Sequence, residues 1–330
     1  MFIHTYNSII TVENLLLTWE RFLRGKKKKK DVIAFQAELS TNIASLYRDL
    51  KNKTYTHGPY SAFNISDPKP RNIHKASVRD RVVHHLLYKE LYWYFHDRFI
   101  FDSYSCRKDK GTHRALDRFR EFARKVSKNH TRTCYVLKCD IKKFFASIDH
   151  TALMKILERH IADPDIRWFL TQITESFHTT APHVGLPLGN LTSQLLVNVY
   201  MNEFDQYVKY ILKQKYYIRY ADDFVFLSRD KNDLRKTLPY ITVFLSERLK
   251  LKLHPDKVSI KTFASGVDFL GWVHFPHHRQ IRTSTKRKII RMMEGYPKLE
   301  TISSYRGLLQ HGNTYQLQKR LKMLDQEITI

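Results

Sequence analysis

The sequence predicts an α+β fold, because strand-like and helix-like apolar patterns occupy separate stretches of the chain. Residues 217–228, YIRYADDFVFLS, hold two β-branched and aromatic runs, 216–220 and 224–227, joined at Ala221, Asp222 and Asp223 as a hairpin with a carboxylate tip. Residues 131–161 combine both patterns. A strand over 134–139 ends at Asp140, a turn follows, and a helix over 151–161 carries Leu153, Ile156, Leu157 and Ile161 on one face behind an Asp149 N-cap.

Residues 1–50 read as helical, with Leu15, Leu16, Trp19 and Leu23, then Ile33, Phe35, Leu39, Ile43 and Leu46 at apolar positions; the GKKKKK run at 25–30 between them reads as a solvated loop. Gly58-Pro59 and Pro68-Lys69-Pro70 punctuate short strands over 51–80, and a helix rich in His, Leu and Tyr follows over 80–98. Gly185, Pro187 and Gly189 form a loop that opens a helix lined by Leu196, Val199, Tyr200, Phe204 and Val208. The stretches TSTKRKIIRMM and SYRGLLQHGNTYQLQKRLKML near the end read as helices.

Composition narrows the function. Among 330 residues, 57 Lys and Arg stand against 32 Asp and Glu, a formal charge of +25, and 19 Tyr, 20 Phe and 4 Trp accompany them. Cations interleaved with rings suit phosphates and stacked bases, so a nucleic acid is the expected partner. No apolar run reaches the roughly 18 residues of a spanning helix, and the N-terminus lacks a basic segment with a cleavage site. The expectation is therefore a cytoplasmic protein with no membrane partner. Cys106, Cys134 and Cys139 are too few and too irregular for a disulfide framework and read as reduced thiols in or near the core. The histidine pairs 84–85 and 277–278 have no second ligand pair at zinc-like spacing, and read as helix and loop residues facing nucleic acid.

An isolated Asp-Asp is an ordinary turn. Here a third carboxylate, Asp140, ends another strand, and in an α+β sheet strand ends come side by side. Three converging carboxylates would repel one another unless cations lie between them. Two Mg²⁺ ions about 3.5–4 Å apart, or Mn²⁺ in their place, meet that need and suit in-line attack on a phosphate.

The order DIKKFF, GLPLGNLTSQ, YADD resembles the catalytic core of a reverse transcriptase over about residues 50–275. The resemblance implies a right-hand polymerase architecture: an N-terminal helical extension (1–50), fingers (51–130), a palm of antiparallel sheet and helices (131–275) and a small helical thumb (276–330). It implies Asp140, Asp222, Asp223 and the carbonyl of Ile141 as metal ligands, and Lys257 as the group that protonates leaving pyrophosphate. Phe145 matches the ring that excludes a 2′-hydroxyl. Arg71, Lys75, Arg79 and Arg81 match the basic segment holding triphosphate and template backbone, with Asp80 paired to one of the arginines. Leu188 and Gly189 fall at the nascent pair. Gln194, Tyr220 and the FLGW turn, Phe269, Leu270, Gly271 and Trp272, match contacts to template and primer. Substrates would be dNTPs, a template RNA and a cDNA or RNA primer.

Many reverse transcriptases carry Gln-Gly and Ser-Pro where this chain has Leu188-Gly189 and Ser193-Gln194. With DSYSCRKDKGTHRAL and SYRGLLQHGNTYQL, the pattern is similar to the enzymes of diversity-generating retroelements. That resemblance implies error-prone copying opposite adenine and a basic accessory protein. Two other readings stay open: an antiphage-defence reverse transcriptase that copies a noncoding RNA, and a non-catalytic RNA-binding module.

Overall fold

The computed structural model describes residues 1–65, 70–295 and 299–329, with side chains described through 323. Pro68 and Lys69, expected to punctuate a turn, lie outside the described residues. Helices α1 (Tyr6–Ile9), α2 (Val12–Phe22), α3 (Lys30–Ala37) and α4 (Leu39–Lys51) precede an antiparallel hairpin, β1 (Ser61–Ile65) and β2 (Arg71–Lys75). Helices α5 (Val78–His96) and α6 (Thr112–Val126) follow. Then come β3 (Tyr135–Asp140), α7 (His150–Glu158), α8 (Pro164–Thr174), α9 (Leu191–Gln206), β4 (Tyr217–Tyr220), β5 (Asp223–Ser228), α10 (Lys231–Leu249) and β6 (Ser259–Thr262). A second small sheet, β7 (Val267–Phe269), β8 (Trp272–His274) and β9 (Arg279–Ile281), leads to α11 (Thr283–Glu294), α12 (Leu299–Leu309) and α13 (Tyr315–Thr329).

The central sheet runs β4-β5-β3-β6, every pair antiparallel. Both of its faces are covered, which is why β5 is a nearly continuous apolar run rather than an alternating one. Leu137, Cys139, Tyr217, Phe224 and Phe226 join the core formed with α9 and α10, while Val136, Ile218, Val225 and Leu227 join a second core with α6, β7 and β8. Helix α7 starts where Asp149 accepts the Ala152 amide at 2.8 Å, as its sequence requires.

A buried ion pair ties these layers together. Arg219 and Asp205 are 1% and 0% exposed and meet through two parallel hydrogen bonds, Nε to Oδ1 at 2.8 Å and Nη2 to Oδ2 at 2.7 Å. Tyr217 donates its hydroxyl to the same carboxylate at 2.8 Å, and Arg219 Nη1 donates to the Ala221 carbonyl at 3.2 Å. The backbone of Arg219 also pairs with Asp102 and Tyr104, so residues 102–104 lie alongside β4.

Several expectations change. The hairpin turn is two residues, not three: Asp223 belongs to β5 and pairs with Tyr220, leaving Ala221 and Asp222 at the tip. Leu16 and Ile33 are 40% and 53% exposed, because the buried face of α2 is Leu15, Thr18, Trp19 and Phe22, and α3 buries only Val32. The helix expected over 151–161 stops at Glu158, and Ile161 instead bridges to Phe2. Asp80 meets the expected arginine, Arg79, at 4.0 Å, and also accepts the Ser77 and Tyr55 hydroxyls at 2.6 and 2.7 Å. His84 is buried between His57 and Thr192, and burial pushes its pKa down to about 3, so it packs the core instead of facing a ligand. Cys106 is exposed, while Cys134 and Cys139 are buried free thiols. The second C-terminal stretch divides into α12 and α13 across residues 310–314.

Removing one partner of a buried pair strands the other charge. Asp205→Ala is expected to lower stability by about 3–5 kcal/mol, whereas Asp205→Leu with Arg219→Met recovers most of that loss; urea unfolding distinguishes them.

Candidate active site

The register of β3 on β5 sets Asp140 directly opposite Asp223. Asp222 lies one residue away at the tip, where its carbonyl accepts the Ile141 amide at 3.2 Å. Ala221 takes a left-handed φ of +55°, disfavoured for an L-residue, and the Arg219 contact to its carbonyl holds the turn in that shape. The three carboxylates the sequence singled out are therefore brought together by one strand pair and its adjoining turn.

Their electrostatics are unresolved by the protein alone. Burial raises the Asp222 carboxyl, with the Asp140 charge adding to it. Burial pushes Asp223 up to about 7 against the opposing pull of Lys138, whose Nζ is 3.4 Å from Asp223 Oδ2. Asp223 Oδ1 is buried with no hydrogen-bond partner among the described residues. Lys257 Nζ sits 2.9 Å from Asp140 Oδ1, and the Asp140 carbonyl accepts the His254 amide at 2.8 Å. A hard divalent cation fits this donor set: it takes the orphaned oxygen and offsets the mutual repulsion.

Around the carboxylates, separate segments are tied into one wall. Phe144 is buried and Phe145 half-buried, and the Phe145 carbonyl accepts the Leu186 amide at 2.8 Å. The Leu188 carbonyl accepts the His74 amide at 3.0 Å, and Asn190 Nδ2 donates to the His74 carbonyl at 2.9 Å. Gly189 has φ +109°, and a Cβ there would stand 2.8 Å from Ile73 Cγ2. The glycine thus serves the approach of β2, a constraint its neighbours in sequence do not disclose.

The remaining site residues divide. Arg71 is exposed, and its charge partly opposes the rise of the Asp222 carboxyl. Lys75 and Arg81 share Asp31, at 2.7 and 2.5 Å, and Arg79 holds Asp49 at 2.6 Å. Tyr220 accepts the Thr112 hydroxyl at 3.1 Å. Phe269 and Trp272 are buried in the second core, so within FLGW only Leu270 and Gly271, a tight turn between β7 and β8, are placed to meet a ligand.

Three features escaped sequence reading. Lys138 and the Arg219–Asp205 pair support the carboxylates; their signal was a charge inside each of two strands and an Asp ending an apolar helix. The third is a cavity of about 710 Å³ lined by Arg21, Arg24, Tyr88, Lys89, Trp93, Lys108 and Gln194. Lys108 Nζ stands 5.1 Å from the centre of the Trp93 ring. Cations and rings share this wall because α2 packs on α5, a contact that helical periodicity does not specify.

Residues 65–274 match the family model described as reverse transcriptase (RNA-dependent DNA polymerase). Protein YkfC of Escherichia coli K12 is 26% identical over 302 residues, covering 80% of this chain and 77% of YkfC. The group II intron-encoded protein LtrA of Lactococcus lactis subsp. cremoris is 20% identical over 303 residues, covering 70% of this chain and 49% of LtrA. The apo telomerase of Candida tropicalis superposes with a TM-score of 0.53 at 12% identity, covering 69% of this chain and 55% of that one. The last likeness concerns the fold, a right-hand polymerase arrangement of helices and antiparallel sheets. The chain spans about half the length of LtrA and of the telomerase chain. No helix among the described residues is long and apolar enough to cross a membrane.

Mg²⁺ is expected to raise the melting temperature of the wild type and to leave Asp223→Asn unchanged, while in EDTA the Asn variant melts higher because a like-charge contact is gone. Thermal melts at pH 8 with and without the ion check both outcomes.

Proposed function

The chain belongs to the reverse transcriptase (RNA-dependent DNA polymerase) family, and from that premise we propose that it copies a template RNA into DNA at Asp140, Asp222 and Asp223. One observation carries the reading: Asp140 and Asp223 stand opposite in register with Asp222 at the adjoining turn, and Asp223 Oδ1 lacks a partner among the described residues. These carboxylates, with the Ile141 carbonyl, would hold two Mg²⁺ ions, which would supply activation of the primer 3′-hydroxyl and neutralisation of charge on the leaving pyrophosphate.

The chain's own residues complete the site. Lys257, already ion-paired to Asp140, is positioned to give a proton to the leaving group. Half-buried Phe145 presents a ring against the sugar and excludes a 2′-hydroxyl. Arg71 is free to meet the triphosphate, whereas Lys75, Arg79 and Arg81 exchange Asp31 and Asp49 for phosphate oxygens, a trade the planar Arg fork favours. The cavity bearing Arg21, Arg24, Trp93 and Gln194 guides template, with bases on rings and backbone on cations. Leu270 and Gly271 steady the primer, and Tyr220 lies beside its end. In this reading residues 1–50 are an extension, 51–130 fingers, 131–275 palm and 276–330 thumb, and the protein acts in the cytoplasm.

The finer role we assign is mutagenic cDNA synthesis for a diversity-generating retroelement, aided by a basic accessory protein. Leu188-Gly189 and Ser193-Gln194 support it. Hydrogen bonds of Leu188 and Asn190 to His74 fix the backbone around position 188, so the apolar side chain is the variable. Leucine packs without a directional hydrogen bond, and a mispair therefore loses little relative to a correct pair.

Asp222→Ala with Asp223→Ala is expected to abolish DNA synthesis and spare RNA binding; a wild type that makes no DNA with RNA, dNTPs, Mg²⁺ and host extract would turn the reading to an RNA-binding module. In sequenced cDNA, substitutions are expected to concentrate opposite template adenines, and Leu188→Gln to reduce them. Uniformly faithful wild-type cDNA would leave the polymerase and move its role toward defence.

A further inference from the structure

Residues 148–150 and 183–185 run antiparallel, bridged at Asp149 and Val184. The Gly185 amide donates to Ile148 at 2.8 Å and the His150 amide to His183 at 3.0 Å. This pairing gathers His150, Glu175 and His183, whose donor atoms lie within 4.8 Å of one another. His150 Nδ1 is 3.1 Å from Glu175 Oε1, and His183 Nδ1 is 2.7 Å from Glu175 Oε2.

The hydrogen bonding of His150 does not close with a neutral ring. Its Nε2 lies 2.6 Å from the Gly185 carbonyl, an acceptor only, so that nitrogen carries the proton. Nδ1 then points a lone pair at a carboxylate oxygen. The opposite tautomer only moves the conflict to the shorter contact. The His150 side chain is 2% exposed, so solvent does not relieve it. Glu175 also caps the C-terminus of α8, where the helix dipole disfavours a negative charge. Both features call for positive charge between the side chains, either a second ring proton or a metal cation.

We propose that His150 Nδ1, Glu175 and His183 Nδ1 bind a divalent cation of the zinc type, with water at the remaining position. Two imidazoles and one carboxylate suit Zn²⁺, whereas the all-oxygen cluster at Asp140, Asp222 and Asp223 suits Mg²⁺. The Nε2–H bond to Gly185 is the outer contact that ligating histidines use to orient their rings. An ion roughly 2.0–2.1 Å from each donor needs them about 3.3 Å apart, so the two histidine–glutamate contacts open by a few tenths of an ångström and the widest separation of the set, within 4.8 Å, closes. Side-chain exposures of 36% for Glu175 and 69% for His183 leave an entry path. The ion pins the loop that carries Leu186 and Leu188 to the segment that carries Phe145. Any effect on nucleotide choice rests on the proposed polymerase site; binding itself does not.

The test is Zn²⁺ titration of the full chain by chelator competition, in excess Mg²⁺ to occupy the carboxylate site. The wild type is expected to hold one Zn²⁺ that His183→Ala and Glu175→Gln bind roughly 10–100-fold more weakly or lose, and to gain several degrees of melting temperature that they do not. Cobalt(II) in its place is expected to give visible d–d bands absent from His183→Ala. His183 is exposed, so matching melts in EDTA establish that its variant folds. Equal Zn²⁺ binding and equal cobalt spectra in wild type and both variants would overturn the proposal, as would a wild type with no tight Zn²⁺, which would make the cluster a proton-bridged ion pair. None of these readouts requires DNA synthesis, so failure of this site and failure of the polymerase reading are separable.

Discussion

Antiparallel pairing of β3 with β5 places Asp140 and Asp223 face to face, and like charges at directly opposed positions repel. Much of the surrounding structure answers that repulsion. Lys138 and Lys257 each approach one carboxylate, and apolar rings behind the strands, Phe224 and Phe226 above all, hold the pairing closed. The register has no freedom to relax, because a slip by one residue would drive those rings into the second core, where the smaller Val225 and Leu227 pack.

The Arg219–Asp205 pair does a different job. A fully buried ion pair contributes little net stability, since desolvation offsets most of the attraction. Its effect is on geometry. By holding Asn198 and the Ala221 carbonyl to the guanidinium and the Tyr217 hydroxyl to the carboxylate, it couples α9 to the turn that carries Asp222. The carboxylate tip is thereby braced from within the core.

Three basic side chains near the hairpin β1-β2 are paired with carboxylates, while Arg71 is exposed. Asp31 on α3 and Asp49 on α4 occupy Lys75, Arg79 and Arg81. Half-exposed pairs of this kind are worth about 0–1 kcal/mol, so a phosphate displaces the carboxylates at little cost. The N-terminal helices thus contribute twice, through these acidic partners and through Arg21 and Arg24 in the aromatic cavity.

Much of this was legible in the residues. The strand ending at Asp140, the Asp149 cap, the helix after Gly189 and the carboxylate hairpin all declare themselves through local rules: apolar period, turn chemistry and capping involve neighbours a few residues apart. Leu16, Ile33 and His84 were misplaced because helical spacing gives a stripe but not which stripe is covered. Trp272 and Phe269 were misassigned for a related reason, since an aromatic reads alike in sequence whether it faces a ligand or a core. The sequence by itself determined the order of elements, the charge and the residue types at the site. Only the tertiary structure decided the register that opposes Asp140 to Asp223, the bracing by Arg219, the need for glycine beside Ile73 and the meeting of His150, Glu175 and His183. Each of these depends on segments far apart in the chain, and their contacts are set by packing rather than by local preference.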